Sequence, residues 1–191
     1  TETPFDYDAH FAQAHLTEAH KLELVKIFAD LTDFIKLHRL EQIVSIGPSA
    51  GPFAKHIAAA YQKRHGKPLR VVNLGKLGEA LSLTRSFRPP SSEVLKKVII
   101  KIKGNSRQFR PTLVFDEASN GGLSMGEASE KLHELGLPHK AAVLVHNFPH
   151  ELHRVARERI DFPPRSQKRS SSLAEMVGNS IGISIRLSDH K

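Results

Sequence analysis

The spacing of strand and helix signals between residues 43 and 74 restricts this chain more than any other feature in it. Ile43-Val44-Ser45-Ile46 is a short, largely β-branched run, closed by the small-residue loop Gly47-Pro48-Ser49-Ala50-Gly51-Pro52. Over 53–64 the apolar residues Phe53, Ile57, Ala60 and Tyr61 recur at helical steps, and His65-Gly66-Lys67-Pro68 supplies a stop. Leu69-Arg70-Val71-Val72-Asn73-Leu74 then reads as a second strand. Strand, helix and strand within about thirty residues form a βαβ unit, whose two strands run parallel. The expected fold class is therefore α/β, an open, mainly parallel twisted sheet flanked by helices.

The rest of the chain fits around that unit. Residues 1–10 are polar and expected to fray, whereas over 16–40 Leu16, Leu22, Leu24, Val25, Ile27, Phe28, Leu31, Phe34, Ile35, Leu37 and Leu40 mark an amphipathic N-terminal helical segment, in one piece or two. Thr17 followed by His20 is a poor capping signal. Within the stretch 75–110, residues 75–92 read as an extended loop with Pro89-Pro90, and 94–102 as either a strand or a short helix. Thr112-Leu113-Val114-Phe115 predicts a strand ending on Asp116 and Glu117. A small-residue turn over 118–122 and a helix over 126–135 follow, and 141–145 is a further buried strand. Residues 151–191 form a basic C-terminal segment, with alternation over 181–187 that suits a closing edge strand. At 191 residues, one domain is expected, divided into the helical segment 1–40, the core 41–150 and the tail 151–191, a candidate hood over the site.

Composition narrows the chemistry. No apolar run is long enough to cross a bilayer, and no signal pattern opens the sequence, so a cytoplasmic protein with no membrane partner is expected. The absence of cysteine removes disulfides, thiolate nucleophiles and Cys-based zinc sites. Lys and Arg outnumber Asp and Glu by 28 to 20, a formal +8 that favours anionic partners such as sugar phosphates or nucleic acid. Of twelve histidines, His146 with His150, or His150 with His153, have helical spacing, but neither pair shows a third ligand.

The chemistry-bearing stretch is 111–125, where acids, glycines and a hydroxyl meet at a strand-to-helix junction. Open α/β sheets bind ligands at such junctions, and a helix N-terminus offers free N–H groups to a phosphate. The uninterrupted run Asp116-Glu117-Ala118-Ser119-Asn120-Gly121-Gly122-Leu123-Ser124 resembles the phosphoribosyl-diphosphate signature of the type I phosphoribosyltransferases. Gly121 stands where that family usually has Thr, which removes one hydroxyl.

The resemblance implies a Rossmann-like phosphoribosyltransferase fold and an enzyme of nucleotide metabolism. Such an enzyme moves a phosphoribosyl group between diphosphate and a nucleobase or related acceptor with Mg²⁺, as a homodimer. It assigns Asp116 and Glu117 to catalysis and to the metal, and Ser119, Asn120, Gly121, Gly122, Leu123 and Ser124 to the 5′-phosphate. Ser49, Ala50, Gly51, Lys76, Arg85 and Arg88 fall where the family binds pyrophosphate or closes a loop over it. Phe148 or Phe162 would stack on the base. A second reading keeps the fold without catalysis, as a regulatory or RNA-binding protein, which suits Gly121 and the +8 charge. A third, a sugar-phosphate isomerase domain, fits the 47–51 loop but not the acid pair.

Overall fold

The structure, a computed structural model, describes residues 4–10, 17–120 and 123–147. In chain order the elements are α1 (Tyr7–His10), α2 (Glu18–Leu37), β1 (Gln42–Ser45), α3 (Ala50–His65) and β2 (Arg70–Asn73). After them come α4 (Lys76–Glu79), α5 (Leu83–Ser86), α6 (Ser92–Lys103), β3 (Thr112–Asn120), α7 (Leu123–Glu134) and β4 (His139–Asn147). The four strands form one sheet in the order β2-β1-β3-β4, and every neighbouring pair is parallel. The α/β class with an open parallel sheet is thus the observed architecture.

Every residue of β1 is buried, as both faces of a parallel sheet must be when helices cover them. Ile43, Leu113, Phe115, Ala142 and Leu144 pack with α2 and α3 on one face. Val44, Val72, Val114, Ala141 and Val143 pack with α6 and α7 on the other. At the start of the sheet the buried Gln42 links three strands. Its Nε2 donates to Thr112 Oγ1 at 2.8 Å, and its Oε1 accepts from Arg70 Nη1 at 2.6 Å. A slip in register would orphan these buried polar groups.

Several local expectations need revision. Residues 4–10 do not dangle, because Phe5 packs against Phe28 and Phe53 with ring centroids 6.0 and 4.6 Å away. The weak cap at Thr17 is a complete capping box. Thr17 Oγ1 accepts from the His20 amide at 3.2 Å while His20 Nδ1 accepts from the Thr17 amide at 3.3 Å. Histidine takes the part that Glu or Gln usually plays. The expected 75–92 loop contains the two short helices α4 and α5 and the start of α6, and serine caps two of the three: Ser82 Oγ accepts from the Arg85 amide and Ser91 Oγ from the Val94 amide. The choice left open for 94–102 resolves as helix, since Val98 and Ile102 lie four apart on one buried face.

The most consequential difference lies in β3. It does not end on its two acids but continues to Asn120, pairing with β4 as far as Asn147.

Gly78 in α4 sits directly against the backbone of Ile46, so an added Cβ would collide with the Ile46 carbonyl group. Neither backbone can swing aside. Gly78→Ala is expected to lower stability by about 1–3 kcal/mol, the range for overpacking a close contact, measured as a lower urea midpoint with unchanged slope.

Candidate functional site

The sheet order places a topological switch between β1 and β3. The connection leaving β1 runs through α3 on one face towards β2, and that leaving β3 runs through α7 on the other face towards β4. A crevice opens between two such connections at the carboxyl ends of the strands.

Three groups converge there. The Asp116 side chain, only 3% exposed, accepts from Arg85 Nη2 at 2.7 Å through Oδ2 and from the Glu117 amide at 2.9 Å through Oδ1. Gly47, just beyond β1, passes so close that a Cβ there would lie 3.1 Å from Asp116 Oδ1 and 3.4 Å from Arg85 Nη1. Arg85 comes from α5, whose N-cap Ser82 is fully buried and donates to Glu127 Oε2 of α7 at 2.7 Å. Thus α7 holds Ser82, Ser82 caps the turn that carries Arg85, and Arg85 reaches the β3 acid.

Burial pushes the Asp116 carboxyl above its ordinary 3.8. The Arg85 charge and hydrogen bond and the Glu117 amide pull it back, while Glu79 adds a further upward push. The net direction is up, so desolvation outweighs the guanidinium.

The other predicted site residues are distributed as follows. Ser49 is exposed before α3, and Ala50 and Gly51 are buried in its first turn, Gly51 against the Asn73 side chain. Lys76 opens α4 and is exposed, as is Arg88. Ser119 and Asn120 end β3, Leu123 opens α7, and Ser124 is half-buried in that helix. Gly121, Gly122, Phe148, His150, His153 and Phe162 lie outside the described residues, as do the tail 151–191 and its expected edge strand.

Successive side chains of a strand alternate between faces. Within β3, Leu113 and Phe115 face α2 and α3, whereas Val114 faces α6 and α7. Continued alternation sends Asp116 and Glu117 to opposite sides, so they grip two vicinal hydroxyls together only if the backbone leaves the extended form at that point.

The sequence reading named Gly47 only as part of its loop and did not single out Phe87. Gly47 matters for the space it leaves, which depends on a partner 69 residues away in sequence. Phe87 ends α5 with a φ of 55° and a ring 86% exposed, an arrangement rare for a bulky residue. A Phe beside Pro89-Pro90 carries no local sign of it.

Among the described residues no group of three or more His, Asp or Glu side chains is placed to hold a metal ion. Both Asp116 oxygens are already engaged, one by Arg85 and one by the Glu117 amide.

No family model matches the sequence, and no curated protein matches it. Among solved structures the chain is similar to the orotate phosphoribosyltransferase from Aeropyrum pernix. The two share 17% identity over 74% of this chain and 73% of that one, with a TM-score of 0.32. That likeness is too loose to add weight to the site, which stands on its own geometry.

Arg85→Leu tests the buried pair. A carboxyl whose folded value lies above its unfolded one holds its proton more tightly when folded, so its contribution to stability falls as pH rises through that window. Without Arg85 the window extends further upward. The variant is expected to lose about 1–3 kcal/mol near pH 7.5 and clearly less near pH 5, read from urea melts at the two pH values.

Proposed function

We propose that the crevice binds phosphoribosyl diphosphate and that the protein transfers the phosphoribosyl group to or from a nitrogenous acceptor. The observation that carries this reading is the meeting of the Gly47 loop, Asp116 and Arg85 at the β1–β3 switch. An acid, a guanidinium and a glycine backbone meet at the kind of position where parallel sheets take phosphorylated ligands. The run Asp116 to Ser124, leading into α7, supplies the phosphoribosyl-type signature at the same strand end.

In the reaction the bond from the anomeric carbon to diphosphate oxygen breaks and a carbon–nitrogen bond forms. Positive charge grows on the ribose and negative charge on the leaving group. Arg85, Lys76 and Arg88 are the cations for the diphosphate. Arg85 serves both ends of the cycle, neutralising Asp116 before substrate arrives and turning to the diphosphate afterwards. Glu117 takes a ribose hydroxyl, and the backbone amides at the start of α7 take the 5′-phosphate. Any Mg²⁺ enters mainly as a complex of the diphosphate, which itself supplies most of the oxygens. The exposed Phe87 ring offers a face to a planar acceptor.

Titration calorimetry with phosphoribosyl diphosphate and Mg²⁺ is expected to show saturable binding. Lys76→Ala should weaken it about 10-fold or more, the effect of one charge-assisted hydrogen bond. No heat from the unaltered protein at millimolar ligand rejects the reading. The non-catalytic alternative is favoured by one observation, that both Asp116 oxygens are already engaged. Binding without release of diphosphate in the presence of a panel of nucleobases would select it.

A further inference from the structure

A second concentration of positive charge lies at the opposite end of the sheet from the Asp116 crevice. Over 94–115 the chain carries Lys96, Lys97, Lys101, Lys103, Arg107 and Arg110 and no carboxylate at all. Folding adds Arg70 to this group. Its guanidinium lies against the last turn of α6, donating to the carbonyl oxygens of Ile102 and Lys101 as well as to Gln42. Burial pushes the proton affinity of Arg70 down, and the nearby positive charge of Arg110 adds to that. Lys103 lies over the Phe109 ring, 4.6 Å from its centroid.

Lys97 pairs with Glu93 at 2.6 Å. Among the described residues none of Arg70, Lys96, Lys101, Lys103, Arg107 and Arg110 forms an ion pair with a carboxylate. Arg70 is accounted for by the negative end of the α6 dipole and by Gln42. The exposed Lys96, Lys101, Arg107 and Arg110 have no such internal role. Like charges gathered without counter-charges repel one another, and an external polyanion removes that repulsion while releasing its own counterions.

We propose that α6 from Lys96 onward, the loop after it and the Arg70 edge of the sheet form a binding surface for single-stranded nucleic acid. The cations run along the surface and are not focused on one point. Lys96 and Lys103 alone are about 10 Å apart along the helix at 1.5 Å per residue, a pattern that follows a chain of phosphates and not a single one. The half-buried Phe109, with Lys103 above it, adds an aromatic edge of the kind that accompanies such grooves. An anionic membrane is the poorer fit. A helix lying in a bilayer interface needs a free apolar face, and α6 buries Val98 and Ile102 in the core and leaves Ile100 as its exposed large apolar residue. This surface is separate from the Asp116 crevice, and its assignment does not rest on the ligand proposed for that crevice.

The test uses the full chain and a fluorescent 20-nucleotide single-stranded RNA, with affinity followed against salt concentration. One variant combines Lys96→Gln, Lys101→Gln, Arg107→Gln and Arg110→Gln, all at exposed positions. A control combines Lys26→Gln, Lys36→Gln, Lys55→Gln and Lys63→Gln, equally exposed on α2 and α3. Both remove the same charge. The first is expected to weaken binding about 30-fold or more at 50 mM salt and to flatten the salt slope by about 3, as for four lost phosphate contacts. The control should change affinity less than about 3-fold. Equal losses in both variants, no loss in the first, or no RNA binding by the unaltered chain overturns the proposal. So does binding to phosphatidylserine vesicles in preference to RNA.

Discussion

A carboxylate buried at the mouth of a parallel sheet governs the geometry of that whole end of the molecule. Desolvation makes the charge of Asp116 costly, and the nearby amide of Glu117 satisfies only one oxygen. The other oxygen requires a cation, and the chain delivers one from a four-residue helix held by Ser82 and, through it, by Glu127 of α7. Gly47 follows from the same constraint, because the β1 loop crosses the pair at a distance that leaves little room for a methyl group. Three stretches far apart in sequence are thereby made interdependent.

That interdependence separates what the sequence discloses from what it conceals. The alternation of β-branched runs with helical spacing over 43–74 was sufficient for the sheet class, because a βαβ unit depends on local periodicity. The helix at 50–65 and the strand at 139–147 were legible for the same reason. The ends were not. An apolar run that meets two acids looks finished at Phe115, yet pairing with β4 carries β3 on to Asn120. Strand length in a sheet interior is set by the neighbour, and the neighbour is not visible in the window. The His20 capping box was missed because the usual pattern looks for Glu or Gln at that position, and Phe5 because its partners lie on α2 and α3.

The candidate site was legible as a location more than as an arrangement. Residues 116–124 were singled out for their order, and Asp116 does lie at the switch between β1 and β3. Adjacency in sequence suggested two acids acting on one ligand, whereas an extended backbone separates neighbours by turning them to opposite faces. Lys76, Arg85 and Arg88 were chosen for their charge, and among the described residues Arg85 is the one of the three whose side chain is held in an ion pair. The fold supplies that distinction through the turn at Ser82.

The shortness of β1 has an electrostatic consequence. Four residues at about 3.3 Å each span about 13 Å, so along β1 the backbone holds the two ends of the sheet only that far apart. At physiological salt the screening length is about 8 Å, and the two ends are nearly independent; near 10 mM salt it is about 30 Å, and they share one field. An anion seated at either end would then lower the attraction felt at the other. The sheet thus acts as a spacer whose insulation is set by the ionic strength of the surroundings.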